Sequence, residues 1–245
     1  MLKYNKQKGA QMKITFLYHS AFLAELPACN LLFDWTGERP LPDFDRTKPL
    51  YVFSSHHHAD HYTPRIFSLG MDHVTYILAS CIRLSAKRKA GLGIDDRCIY
   101  RLRAGVTESI GDITVTTVRS NDAGVAFLVR VGETTLFHAG DLNDWYWSGE
   151  TEEWNRTIKQ VFDKSMKQLE SVAADVAFLP LDGRLGEAFF WGFDRFMKTM
   201  HIKTAFPMHC WEDFSVISRL KELPESAEYR SRVIDIVHDG QVFKL

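Results

Sequence analysis

Apolar and polar residues alternate at the start of the readable pattern. Met12, Ile14 and Phe16 are interleaved with Lys13 and Thr15, the period of two that marks a half-buried strand. The short apolar runs 31–33 and 50–53 predict buried strands, and 74–78 predicts another. Between them, Thr63 followed by Pro64 has the form of a helix cap with proline in the first turn. The lysine- and arginine-rich stretch 82–90, ending before Gly91, predicts a surface helix. From 110 onward alternation resumes at Ile113, Val115 and Thr117, and continues through 125–131. A Gly132-Glu133 turn then leads into 134–138, which predicts a hairpin. The clearest helix covers 152–172, where Trp154, Ile158, Val161, Phe162, Met166, Leu169 and Val172 share one face at a 3.6-residue period. Strand 176–179, helix 187–200, strand 204–208, helix 213–222 and a terminal hairpin around Asp239-Gly240 complete the pattern. A β-rich half followed by β-α-β-α suits two packed sheets with helices outside. Strand ends fall at 54–56, 138–141, 180–182 and 207–209.

Composition narrows the class. A chain of 245 residues lies between one and two typical domains, and no repeat, low-complexity tract or Pro/Gly linker divides it. The expected organisation is one domain over 12–245, preceded by a loose polar extension at 1–11. Thirty Lys and Arg against 31 Asp and Glu leave a formal charge of −1. That balance argues against coating nucleic acid or a membrane surface through bulk charge. The four cysteines, Cys29, Cys81, Cys98 and Cys210, form no C-x-x-C pair, which excludes a zinc ribbon and suits a reducing cytosol. No run reaches the roughly 18 apolar residues of a membrane span. The stretch 16–33 is interrupted by His19, Ser20, Glu25, Pro27 and Asn30 and lacks a signal-peptide core. The expectation is a cytoplasmic protein.

Candidate chemistry concentrates in Ser55-His56-His57-His58-Ala59-Asp60-His61, just after the strand run 50–53 and before Thr63-Pro64. Residues two apart in an extended loop point the same way, so His56 and His58 can grip one cation. Asp60 and His61 come one turn later and can face a second. Neutral imidazole and carboxylate are the donors that borderline divalent metals take.

This H-x-H-x-D-H pattern resembles the signature of the metallo-β-lactamase-fold hydrolases, and the resemblance extends over most of the chain from Met12. His138-Ala139-Gly140-Asp141 is similar to the family's strand-end G-D, and Pro207-Met208-His209 to its late histidine ligand. Tyr18-His19-Ser20-Ala21-Phe22 and Leu32-Phe33-Asp34 resemble the opening strands of the ascorbate-phosphate lactonase-like branch. The resemblance implies a four-layer αββα sandwich, an α/β fold of two mixed sheets packed face to face. It implies that His56 and His58 hold one metal, that Asp60, His61 and His209 hold another, and that Asp141 bridges the two. One or two divalent ions are implied, zinc first, with manganese or iron as alternatives.

The chain departs from the family at one position. The family's third histidine for the first metal comes from the segment that here reads Val118-Arg119-Ser120-Asn121-Asp122-Ala123-Gly124, which contains no histidine. Asp122 is the candidate oxygen donor in its place, with a plain turn into 125–131 as the alternative.

Trp145 and Trp147 follow Asp141 closely, and Trp211 lies two residues after His209. They are candidates for a pocket wall that stacks on a ring, or for a core seam against helix 152–172. Arg184, in the loop after Pro180, is a candidate clamp for phosphate or carboxylate, or one half of a surface salt bridge. The cations Arg83, Lys87, Arg88, Lys89, Arg97, Arg101 and Arg103 are read as a solvated face, with attraction of an anionic substrate as the alternative. His19 is expected to orient a ligand from behind. His57 is expected to point away, and His73, His201 and His238 are assigned no role.

The leading expectation is a metal-dependent hydrolase acting on a small anionic ester, a phosphorylated lactone or a phosphodiester, with Asp60 also able to take a proton. The alternatives are a nuclease of the same superfamily, disfavoured by the near-neutral charge, and a metal-binding protein without turnover. Homo-oligomerisation is left open.

Overall fold

A computed structural model describes residues 12–85, 91 and 95–245. The expected extension at 1–11 lies outside the described residues, as do Lys87, Arg88, Lys89 and most of the helix expected over 82–90.

The strands form two mixed sheets. The first contains β1 (Lys13–Tyr18), β2 (Ala21–Glu25), β3 (Asn30–Phe33), β4 (Leu50–Ser54), β5 (Val74–Ala79) and β6 (Ile99–Leu102) side by side in chain order. The second contains β7 (Thr107–Ile110), β8 (Ile113–Arg119), β9 (Val125–Val131), β10 (Thr134–His138), β11 (Ala173–Pro180) and β12 (His201–Met208), also in spatial sequence. The last strand, β13 (Val242–Lys244), joins the edge of the first sheet. Pairing is antiparallel from β13 to β3 and parallel from β3 to β6. In the second sheet β7 to β10 are antiparallel and β10 to β12 parallel. Helices α1 (Glu152–Gln168), α2 (Trp191–Thr199) and α3 (Ser215–Glu222) follow in the second half of the chain, and α1 and α2 pack on the second sheet.

Side-chain alternation divides the first sheet into two buried faces. Ile14, Phe16, Phe22, Leu31, Phe33, Tyr51, Phe53 and Ile77 face the second sheet across one shared core. Leu17, Leu23, Leu32, Leu50, Val52, Tyr76 and Leu78 face outward into a second cluster closed by Ile66 and Phe67. Both faces are covered, so β4 is buried throughout and has no polar stripe, as expected for a parallel strand inside a layered fold. Among the described residues that outer cover is the short 3-10 helix Pro64–Ser68, capped by Thr63 as its sequence predicts, together with loop residues such as Trp35 and Phe44. Phe178 lies near the centre of the shared core, with its ring 4.2 Å from that of Phe22 and within 5.7 Å of those of Phe33 and Phe206.

The predicted hairpin at β9 and β10 is present, with Thr134 opposite Val131. Three expectations are corrected. The terminal hairpin at Asp239-Gly240 does not form; the turn hands the chain to β1, where Thr15 faces Val242 and Gly240 N–H donates to Phe16 C=O. The helix expected over 187–200 begins only at Trp191, because a 3-10 segment Gly183–Ala188, kinked at the left-handed Gly186 (φ 62°), runs into its first positions. Helix 152–172 stops at Gln168, with Leu169 as its cap and Ser171 already left-handed.

Phe178→Ala should cost about 3–5 kcal/mol, because a fully buried ring contacting both sheets would leave a cavity. Chemical denaturation of the variant checks this, and a loss under about 1 kcal/mol would contradict the packing described.

Candidate metal centre

The four strand ends converge. β4 delivers Ser55 to His61, β10 delivers Asp141, β11 delivers Asp182 and β12 delivers His209, while the β1–β2 turn brings His19. Two glycines make this approach possible. Gly124 is left-handed (φ 64°), and a Cβ there would stand 2.0 Å from Ser55 C=O. Gly140 (φ 53°) would set a Cβ 2.7 Å from that of Ser55. Val125 N–H donates to Ser55 C=O at 3.0 Å, tying the second sheet to the histidine loop.

Two donor clusters result, each with its candidate ligand atoms within 4.8 Å of one another. The outer one holds His56, His58, Asp122 and Asp141; the inner one holds His19, Asp60, His61 and His209. Asp141 lies between them. Its Oδ2 is 3.4 Å from His56 Nε2, and its Oδ1 is 3.0 Å from His61 Nε2 and 3.6 Å from His209 Nε2. Ligands held 2.0–2.1 Å from a tetrahedral zinc stand about 3.3 Å apart, so these separations match a shared coordination shell.

Hydrogen bonds orient the imidazoles. His61 Nδ1–H donates to Asp34 Oδ2 at 2.7 Å, and His209 Nδ1–H to Asp182 Oδ2 at 3.0 Å. Ser55 donates through N–H to Asp34 Oδ1 (2.7 Å) and through its hydroxyl to Asp34 Oδ2 (2.6 Å). The Ser55 oxygen is then left to accept from His56 Nδ1 at 3.0 Å. The Nδ1 atoms of His56, His61 and His209 are engaged outward, so the Nε2 atoms of these three rings face Asp141. The Nε2 atoms of His19, His56 and His61, together with Asp141 Oδ1, are buried without a hydrogen-bond partner. A divalent cation is the species that satisfies several such acceptors at once, and the residues present fit it.

The electrostatics describe the same crowding. Burial opposes charge on Asp141, yet His61, His209 and His56 outweigh it and hold the carboxyl well below its usual range. Burial also opposes charge on His61, but Asp141 and Asp34 raise it well above an ordinary imidazole. Burial, helped by His61, lowers His56 to about 4. Burial also works against the Asp182 carboxylate, but His209 and Arg184 bring it down to about 2.

The two clusters differ in exposure. His58 and Asp122 side chains are 44% and 41% exposed, with His58 Nδ1 3.3 Å from Asp122 Oδ2. The segment 120–124 is therefore a turn that also brings Asp122 to the outer cluster. Within that turn Ser120 is buried, and its hydroxyl accepts from Asp122 N–H at 3.2 Å. His19, expected behind a ligand, has its buried Nε2 3.6 Å from the candidate ligand Asp60 and also lies among the donors of the inner cluster. His57 is exposed, as expected. His138 stands apart, accepting from Gly140 N–H and donating to Ser20 C=O.

A cavity of about 270 Å³ opens over the centre, with Asp60, Asp122, Asp141 and His209 on its floor. Trp145, Trp147, Trp154, Ile158, Trp211 and Arg184 line it too. Trp145 is mostly buried, donates to Asp141 C=O at 2.9 Å and stacks on Trp147. Arg184 forms the salt bridge that was its alternative reading, and it does so at the cavity wall. Its Nε and Nη2 fork onto Asp182 at 2.6–3.1 Å, and its guanidinium sits 4.3 Å from the Trp211 ring centre and 5.4 Å from that of Trp147, at the cavity wall. Trp154, assigned from periodicity to the core face, lines the cavity instead and is 37% exposed, whereas Ile158 both packs against the core and lines the cavity. Asp34 and Asp182 escaped the sequence reading as site residues. Their one local signal was a carboxylate directly after the apolar strand of β3 and just beyond the end of β11.

No family model matches the chain. A UPF0173 metal-dependent hydrolase of Desulforamulus reducens is 29% identical over 157 residues, covering 53% of this chain and 62% of that protein's length. Among solved structures, the novel metallo hydrolase Igni18 of the archaeon Ignicoccus hospitalis superposes with a TM-score of 0.64 at 16% identity, over 96% of this chain and 98% of its own. The metallo-β-lactamase fold protein YhfI of Bacillus subtilis does so with 0.59 at 15%, over 96% and 99%. The chain therefore has the metallo-β-lactamase fold.

Asp34→Asn should keep the shape of the site while weakening its hold on His61 and, through Ser55, on His56. Zinc affinity should drop about 10–100-fold, read by competition with a chromophoric chelator. Unchanged affinity would show that Asp34 is only a packing residue.

Proposed function

We propose that this protein is a metal-dependent hydrolase acting on a small substrate with a flat apolar body and an anionic group. The observation that carries the reading is the set of partnerless imidazole nitrogens around Asp141, at the floor of a tryptophan-walled cavity. The likeness to proteins described as metal-dependent and metallo hydrolases supports it.

His56, His58, Asp122 and Asp141 would hold one divalent cation, and Asp60, His61 and His209 a second, with Asp141 shared. When bound, such a pair supplies Lewis acidity and brings the ionisation of water toward neutrality. The protein's own groups would do the rest. Asp60 lines the cavity, and although burial opposes its charge, the His19 and His61 imidazoles keep its carboxyl well below the usual range. It is thus an ionised acceptor for a proton released on the floor. Trp145, Trp147 and Trp211 would stack on the apolar body and exclude water. Arg184, fixed by Asp182, would present its remaining N–H groups to the substrate's anion. A cavity of about 270 Å³ is of a size to hold a small molecule, which supports the small-substrate reading over the nuclease alternative.

Zinc stands first among the metals, on the imidazole count. Asp122 adds an oxygen donor to the outer cluster, which favours harder ions such as manganese or iron there.

The reading is tested by turnover on a panel of aryl phosphodiesters, phosphorylated lactones and aryl carboxylic esters, before and after chelation and with zinc, manganese or iron restored. Turnover lost to chelator and regained with metal is expected. Metal binding with no turnover across the panel would leave only a metal-binding protein.

Asp141→Ala should lose at least one metal per chain by elemental analysis, because no other carboxylate reaches both clusters. Asp122→Ala should weaken only the more weakly held ion in a zinc titration of metal-free protein. Unchanged stoichiometry in the first variant, or unchanged binding of both ions in the second, would contradict these assignments.

A further inference from the structure

Granted the metal-dependent reading above, we propose that His19 is itself a metal ligand. It joins Asp60, His61 and His209 at the inner site, with Asp141 shared, so that the inner ion has five protein donors against four for the outer one. Its Nε2 is buried, has no hydrogen-bond partner and lies 3.6 Å from Asp60 Oδ2. That is beyond a hydrogen bond yet close to the roughly 3.3 Å edge between two ligands of one tetrahedral zinc. Its ring centre is 4.2 Å from that of His209 and 5.6 Å from that of His61, so three imidazoles surround one point.

The backbone is built to hold the ring there. His19 is left-handed (φ 52°), a conformation that costs a non-glycine residue about 1 kcal/mol or more. It is strapped from both sides: His209 N–H donates to His19 C=O at 3.1 Å, and His138 donates to Ser20 C=O at 2.9 Å. Trp211 covers the outer side of the ring, with centroids 4.7 Å apart. A residue that merely filled space would need neither the strained turn nor a buried imidazole nitrogen aimed at a carboxylate.

With the shared Asp141 counted, the inner ion would have more protein donors than a tetrahedral zinc needs, and its donors are mostly buried, the arrangement of sites that hold metal tightly. Two of the four outer donors, His58 and Asp122, are each more than two-fifths exposed, so the outer ion is the one solvent and substrate reach. The division of labour follows: a closed inner ion anchors the centre, and a more exchangeable outer ion meets the substrate.

The test uses the full chain freed of metal by chelator and then titrated with zinc and, separately, cobalt(II). The variants are His19→Ala, which removes the donor, and His19→Glu, which supplies an oxygen at similar reach. Wild type should bind one ion tightly and a second more weakly. His19→Ala should lose about a hundredfold in the tight constant, lose one imidazole from the zinc X-ray absorption shell, and shift the cobalt spectrum toward a lower coordination number. His19→Glu should recover most of the affinity. Circular dichroism of each metal-free variant reports folding. A folded His19→Ala with the tight constant within threefold of wild type and the same imidazole count would overturn the proposal while leaving the hydrolase reading intact. If His19→Ala does not fold, the imidazole count in His19→Glu decides: a count equal to that of wild type overturns the proposal. Failure of the wild type itself to bind either metal would instead strike the hydrolase reading.

Discussion

The contact between the buried Asp141 carboxylate and the imidazole nitrogens turned toward it is what the rest of the centre depends on. Both sides are acceptors whenever the histidines are neutral, and both are shut away from water. Such an arrangement is costly unless a positive charge sits between them. Against the effect of burial, Asp141 and Asp34 raise the His61 imidazole well above its usual range, so a proton there stands in competition with a metal. A divalent cation supplies more charge and more directions of bonding, so metal uptake, proton release and stability of the folded chain become one linked equilibrium.

The fold can carry such a centre because two sheets bring four strand ends to one edge of their shared core. The chain accepts local strain there. His19, Asp34 and His209 are all left-handed without being glycine, and each bears directly on the donor set. Gly124 and Gly140 are the complementary device, removing Cβ atoms where the histidine loop passes closest to the second sheet. Asp34 shows how little redundancy exists. Its two oxygens fix His61 directly and His56 through Ser55, so one buried carboxylate orients a member of each cluster.

What could be read from the sequence divides along the same line. Most strands of both sheets were visible because alternation and short apolar runs are local properties, though β6 and β7, with few buried residues, were not. His56, His58, Asp60 and His61 were visible because their spacing along one loop is itself the ligand pattern. Asp141 and His209 stood out by resemblance, at predicted strand ends. Asp34 and Asp182 did not, since a carboxylate gains its role behind a histidine only once another strand delivers that histidine. Trp154 shows the limit of periodicity. It shares its helical face with Phe162 and Met166, but it sits in the first turn of α1, where the face it shares with the core overhangs the cavity. The last strand carries the same lesson. Asp239-Gly240 does turn the chain, with Gly240 at φ 76°, but the partner lies at the opposite end of the sequence, which no local pattern records.

The cavity wall bears on how a substrate would be chosen. Arg184 is the cation on that wall, and Asp182 already engages it through two nitrogens, so its charge is partly balanced before any ligand arrives. Asp182 also orients His209, so the group that positions the arginine also positions a candidate ligand. An anion binding at Arg184 would draw on the same carboxylate that steadies the inner cluster, and occupancy of the wall would be coupled to the geometry of the floor. Stacking against Trp147 and Trp211 keeps the guanidinium flat and leaves little freedom to rearrange. Selection in such a pocket rests on the fit of a planar body between fixed rings, with the charge serving to set its direction relative to the exposed outer cluster.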